Sequence, residues 1–258
     1  MSAGAGEAPA EVETRISDGI AVIRFVRPDR RNSFTAGQVA ELREALEAVE
    51  ADPLVRAVIL TGSGRFFNVG GTPDGAGAES RPWEAGRAAL RAQLDRAVGL
   101  IRTMRRMPQP VIAAVNGGCA GAGLALALAA DLRVVDERAR FNTGFLAHGM
   151  PGELGAMWFA TRLAGAGRAR GLFLFPGKVD AADAHRAGLV DTVVPAGGLD
   201  DAAAEMARRI AAAPPAAVAA MKRNLADAER LPLEEYLAAE TDRRVAVAHA
   251  ARPAPPTR

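Results

Sequence analysis

The chain has 258 residues, 49% hydrophobic and 24% charged, which suits one large globular domain or a domain with an appendage. Its 32 basic and 30 acidic residues are interleaved, so a formal net charge of +2 builds no basic stripe for nucleic acid. A lone cysteine, Cys119, excludes an intrachain disulfide framework and a Cys-based zinc cluster. It suits a reducing compartment. No run approaches the ~18 apolar residues of a membrane span, and no secretory leader pattern opens the chain. A cytoplasmic protein without membrane or nucleic-acid partners is expected.

Residues 1–10 read as a disordered lead-in. Val12–Ser17 and Ile20–Val26 read as two strands joined by the turn Asp18-Gly19. Thr35 is a candidate N-cap for a helix through about Ala51, with Val39, Leu42, Leu46 and Val49 at helical spacing. Ala57–Leu60 is a buried strand closed by Gly62, followed by a Gly-rich stretch from Asn68 to Gly77. Pro82–Arg106 has helical character. Val111–Val115 is a second buried strand, Gly121–Ala130 a tightly packed helix and Leu132–Val135 another strand. Alternating strands and helices predict an α/β layered fold. After Pro195 the pattern turns helical: Leu199–Ala212, Pro215–Ala228 and Leu233–His249. The expected layout is an α/β core over 11–198, a helical part over 199–251 and a flexible tail over 252–258.

Two strands run into glycine clusters, Phe67–Gly71 (FNVGG) and Gly117–Gly123 (GGCAGAG). Glycine lets the backbone take unusual angles and lets another group approach its N–H. The second cluster opens a helix, whose first amides are unpaired and carry partial positive charge. Two converging N–H groups would make an oxyanion hole. Alternatively, the glycines serve only tight turns and close packing. Neither cluster matches a phosphate-binding or dinucleotide fingerprint.

Taken in order, Arg27–Asn32 (RPDRRN), Phe67–Gly71, Val111–Gly117 (VIAAVNG), Gly121-Ala122-Gly123, Leu126–Asp131 (LALAAD) and Ala187–Val190 (AGLV) resemble the crotonase, or enoyl-CoA hydratase/isomerase, family from about residue 12 to 250. The resemblance implies the crotonase (ClpP-like) fold, with a layered ββα core and a helical C-terminal part. It implies that the backbone N–H groups of Gly71 and Ala122 hold the carbonyl oxygen of an acyl-CoA or carrier-bound thioester. It places Val69 against the substrate and Arg30 and Arg31 near the CoA phosphates. Lys222 is a weaker candidate for the same phosphates, or else a solvated helix residue. CoA enters as part of the substrate, and no separate cofactor or metal is expected. Homotrimers or hexamers are implied as well.

The chain departs from the family where hydratases carry two glutamates: Ala125 and Phe145 stand at those positions. Glu153, eight residues beyond Phe145, resembles the carboxylate of the family's dienoyl-CoA isomerases. It could shuttle a proton, if an apolar wall moved its pKa towards the working pH. Alternatively, it is an acidic first-turn residue complementing a helix dipole. His148 on the same loop is a second proton-transfer candidate. Phe145 and Trp158 could shape the acyl pocket, with core packing as the alternative reading for Trp158 and Phe159. His185 and His249 read as structural, Cys119 as packing, and Asp131 as a structural partner. The implied activity is enolate chemistry, as isomerisation or hydration. Decarboxylation, thioester hydrolysis, dehalogenation, ring formation or a non-catalytic CoA-binding role are the alternatives. The stretch Thr72–Ser80 and the segment Asn142–Phe145 favour a specialised substrate.

Overall fold

The computed structural model describes residues 10–71 and 86–250. The expectations for the lead-in, for Thr72–Ser80, for the start of the helix at Pro82 and for the tail lie outside the described residues, apart from Ala10. Strands β1 (Val12–Ser17) and β2 (Ile20–Phe25) pair antiparallel, Val12 opposite Phe25 and Ser17 opposite Ile20. Asp18 and Gly19 both have positive φ, 51° and 74°. Such a two-residue turn matches the twist of the strands it joins. Helix α1 (Ala36–Ala51) follows, and Thr35 Oγ1 accepts the Gln38 N–H at 2.9 Å, as the cap position predicted.

From here the chain runs three times through a longer strand, a short strand and a helix. The first pass is β3 (Ala57–Gly62), β4 (Phe66–Asn68) and α2 (Arg87–Arg106). The second is β5 (Val111–Val115), β6 (Gly118–Ala120) and α3 (Gly121–Ala129). The third is β7 (Leu132–Asp136), β8 (Arg140–Asn142) and α4 (Ala156–Ala164). Then come α5 (Ala166–Leu174), β9 (Lys178–Asp180), α6 (Ala181–Arg186) and β10 (Thr192–Val194). Helices α7 (Leu199–Ala211), α8 (Pro215–Ala228) and α9 (Leu233–Ala250) end the described chain.

The longer strands form one sheet in the order β1-β2-β3-β5-β7-β10, parallel from β2 onward. The short ones form a second, β4-β6-β8-β9, parallel except for β9. The fold is therefore α/β with a repeated ββα unit. The second sheet sits beyond the C-terminal ends of the first because the chain turns there with almost no spacing. At Gly117 a Cβ would stand 2.0 Å from the Arg65 carbonyl oxygen, so only glycine fits.

Residues of β3 and β5 alternate between two cores, as the period of two requires. Val58, Leu60, Val111, Ala113 and Val115 face one core with Leu42, Leu46, Leu100 and Leu124 of α1, α2 and α3. Ala57, Ile59, Ile112 and Ala114 face the other, closed by Leu199, Ala203 and Ala207 of α7. Burial on both sides explains why these strands read as unbroken apolar runs. Each fully buried leucine stabilises the fold by about 1.5–3 kcal/mol.

Helices α8 and α9 form an outlying pair. Asp227 of α8 is buried and receives Arg230 and, across the pair, Arg243 of α9, which also bonds Asn224. No side chain of α9 is buried. Among the described residues, no helix is long and apolar enough to cross a membrane.

Candidate active site

The two glycine turns lie at the C-terminal ends of the adjacent parallel strands β4 and β6, and so meet each other. A Cβ on Gly70 would stand 2.8 Å from the Ala122 backbone nitrogen, and one on Gly121 would stand 3.4 Å from both the Gly70 Cα and the Val69 carbonyl oxygen. Gly70 and Gly121 have φ of +77° and +52°, the left-handed region that favours glycine. Gly123 is pressed on the Asn68 carbonyl, 2.1 Å from its own Cβ position. Glycine at these positions is what lets two backbones touch. Ala122 lies in the first turn of α3, where N–H groups have no helical acceptor and the helix dipole favours negative charge. Residues 122–129 are all buried, so that field acts in a poorly solvated place.

Glu153 comes to this junction from a third segment. Gly152, Leu154 and Gly155 all have positive φ, 107°, 49° and 78°. The tight run between the Leu146–His148 turn and α4 directs the intervening side chain inward. Its Oε1 lies 3.4 Å from the Gly121 Cβ position, beside the Ala122 amide. Burial raises the Glu153 carboxyl above its ordinary value, and the Ala122 amide beside it lowers it by less. The dipole-complementing reading fails on position. Gly155 caps α4, Glu153 stands two residues outside the cap, and the first turn of α4 holds no acid.

The two hydratase glutamate positions are apolar in space as well as in sequence. Ala125 is fully buried within α3. Phe145 is buried and stacks on Phe173 with ring centroids 6.0 Å apart. Val69 is half-buried in the first turn. His148 ends a single 3-10 turn and is exposed, five residues from Glu153. Trp158 does not join the core: it is exposed on α4, edge-on to Phe159, with the Arg162 guanidinium 3.4 Å from its ring centroid. Phe159 is the buried member of that pair. Arg30 and Arg31 are exposed on the loop after β2, Arg31 lying 5.9 Å from the Phe66 ring centroid.

Lys222 must be corrected on both readings. It is buried, not solvated and not offered to a phosphate: Nζ donates to the Met104 and Gln109 carbonyls at 2.8 Å and pairs with Asp131 at 2.8 Å. Burial lowers its pKa, and Asp131 opposes that shift. Asp131 also accepts the Val111 N–H at 2.7 Å, so it is the structural partner expected, tying α8 to the start of β5. Cys119 is buried, and burial pushes its thiol pKa up, as a packing residue requires. His185 and His249 are exposed on α6 and α9.

Sequence reasoning passed over the buried amides behind the first turn. Asn68 Oδ1 accepts the Gly70 N–H at 2.8 Å, and Asn68 Nδ2 donates to Asn32 and Gln38. An asparagine two residues before a glycine is a recognisable turn signal and could have marked it.

Comparison with known proteins agrees with this geometry. The family model described as Enoyl-CoA hydratase/isomerase matches residues 15–252. The chain is 34% identical to the 1,2-epoxyphenylacetyl-CoA isomerase of Escherichia coli K12, over 89% of this chain and 87% of that protein. It is 36% identical to a protein of Rhodobacter capsulatus named a probable enoyl-CoA hydratase, over 89% and 86% of the two. Among solved structures, an enoyl-CoA hydratase from Bacillus anthracis superposes with a TM-score of 0.86 at 28% identity, covering 93% of this chain and 91% of that one. With the ββα repeat, the paired glycine turns and the match over residues 15–252 all in agreement, the chain belongs to the enoyl-CoA hydratase/isomerase family, the crotonases.

Proposed function

We propose that the chain is an acyl-CoA enzyme that polarises a thioester carbonyl with the backbone N–H groups of Gly71 and Ala122 and moves a proton with Glu153. The observation that carries this reading is the Glu153 carboxylate placed beside the Gly121-Ala122 turn, where the two glycine turns meet. A carbonyl oxygen bound by two such donors acidifies the neighbouring C–H, because the charge of the enolate falls on that oxygen. When the substrate oxygen takes the Ala122 N–H, less of that dipole is left to favour the charged form of Glu153, and its pKa rises. It is then a stronger base, beside the carbon that must lose a proton.

One carboxylate can take a proton from one carbon and return it to another, which is isomerisation. Hydration needs a second group to activate water, and Ala125 and Phe145 offer none. His148 would be the second group if hydration occurs. Turnover of 2-enoyl-, 3-enoyl- and dienoyl-CoA thioesters, with products identified by mass spectrometry, tests this. A shifted double bond without gain of water is the expected product, and a 3-hydroxyacyl product would transfer the reading to hydration. The same apolar positions favour a second reading, decarboxylation or ring formation on a specialised thioester, bound to CoA or to a carrier protein. Loss of carbon dioxide, or turnover that survives Glu153→Gln, would select it.

Arg30 and Arg31, exposed beside the first turn, would meet the CoA phosphates. Phe145 and Trp158 would border the acyl group from the loop and from α4. The α8–α9 pair exposes Met221, Leu225, Leu233, Leu237 and Val245 and buries little of its own, which supports self-association as a trimer or hexamer. Sedimentation velocity of the purified chain checks this, and a monomer at micromolar concentration would refute it.

A further inference from the structure

Three buried amides frame the first glycine turn. Asn32, Gln38 and Asn68 are fully buried, although they come from the loop after β2, from α1 and from β4. Asn68 Nδ2 donates to the Asn32 carbonyl oxygen at 2.5 Å and to Gln38 Oε1 at 3.2 Å. Asn32 Nδ2 donates to the Ser63 and Phe66 carbonyls at 3.0 and 2.7 Å, and its Oδ1 accepts the Arg27 N–H at 2.9 Å. Gln38 Nε2 has no partner among the described residues, so the relay of amides ends on α1.

Both polar groups of Gly70 are held by this frame. Its N–H donates to Asn68 Oδ1 at 2.8 Å, and its carbonyl accepts the Phe34 N–H at 2.7 Å. The Gly70 carbonyl and the Gly71 N–H belong to one planar trans peptide unit, so they point in opposite directions. Fixing the carbonyl on Phe34 therefore aims the Gly71 N–H. The frame is needed because Gly70, with no Cβ, has little conformational preference of its own.

We propose that Asn68 is the positioning residue for the Gly71 donor. It holds Gly70 by one side-chain atom and the 32–34 segment by the other, and so directs the Gly71 N–H at the substrate oxygen. This rests on the oxyanion-hole reading above. The other donor, on Ala122, belongs to α3 and stays in place when Asn68 is changed.

The test is the carbonyl stretching frequency of a saturated acyl-CoA, which gives no net product, carrying ¹³C at the thioester carbonyl and bound to the wild type, Asn68→Ala and Gln38→Met. The bound wild-type band should be shifted to lower frequency, and Asn68→Ala should move it back towards the free value. Turnover number should fall about tenfold, less than the ~10²–10³-fold of a donor removed outright, with KM within about twofold. Gln38→Met removes one anchor of Asn68 and should move the band the same way by less. It decides the matter if Asn68→Ala does not fold. Variants that melt earlier yet keep the wild-type band and turnover would reduce the frame to a structural role and overturn the proposal. A wild-type band with no shift would sink the oxyanion-hole reading itself, and this proposal with it.

Discussion

Gly70→Ala and Gly71→Ala differ by one position in the chain and should differ widely in effect. A Cβ on Gly70 would stand 2.8 Å from the Ala122 nitrogen, 3.1 Å from the Gly121 Cα and 3.3 Å from the Ala120 carbonyl oxygen, at a φ of +77°. The left-handed conformation costs an L residue about 1–2 kcal/mol. Overpacking against backbone that cannot rotate away adds about 1–3 kcal/mol. The sum, about 2–5 kcal/mol, lowers Tm by roughly 4–20 °C at the ~2–4 °C per kcal/mol of a chain this size. The strain is relieved by parting the two turns, which withdraws the Ala122 N–H from any shared oxygen. Losing one such donor lowers turnover about 10²–10³-fold. Gly71 has no positive φ, and among the described residues nothing lies within 4 Å of its Cβ position. Gly71→Ala should therefore stay within about 0.5 kcal/mol of the wild type. Thermal melts and turnover of one thioester by both variants provide the assay. Wild-type turnover by Gly70→Ala would refute the claim that the two turns must touch to act.

Asp131→Ala strands Lys222 as a buried, unpaired cation and should cost about 3–5 kcal/mol, measured by urea denaturation. The double variant with Lys222→Met should recover part of that loss, and strict additivity would show that the pair is not coupled. Glu153 should make stability depend on pH in a particular direction. Its native pKa is raised by burial, so on increasing pH the unfolded chain ionises first and the native state loses stability until its own raised pKa is passed. Glu153→Gln should therefore melt above the wild type near neutral pH and level with it at about pH 3, where an ordinary carboxyl is largely protonated. A difference that widens on acidification would contradict the burial argument. Asp136 should act in the opposite sense. Its pKa is pulled to about 2, first by the side-chain bonds from Arg138, so its contribution holds above the ordinary carboxylate range and is lost as pH falls towards 2. Asp136→Asn should flatten the acid end of the melting profile.

Much of the fold was legible because its signals are local. Thr35 caps α1, Asp18-Gly19 turns the first hairpin, and β3 and β5 are apolar runs closed by glycine. Glu153 stood out by its place in a family pattern whose usual glutamates are missing. The second sheet was not legible: β4, β6, β8 and β9 have three residues each, too few to show a period, and they pair only because the turns at Gly62 and Gly117 bring them together. Helix α5 was passed over for a related reason, since a short helix between glycines carries little periodicity. Lys222 was misjudged because a lysine on an amphipathic helix looks solvated until the helix is docked. Its partner Asp131 lies 91 positions earlier in the chain. Trp158 shows the reverse for its core-packing alternative, a large aromatic left outside and packed on Arg162.

Exchange of the hydrogen on the carbon next to the thioester carbonyl, followed in deuterium oxide by mass spectrometry of a bound saturated acyl-CoA, tests Glu153 most directly. It needs no knowledge of the true substrate beyond its thioester. The wild type should incorporate deuterium, and Glu153→Gln, with the same fold and the same affinity for CoA, should not. Equal incorporation by both proteins would remove Glu153 from the chemistry and leave its contact with Ala122 a matter of structure alone.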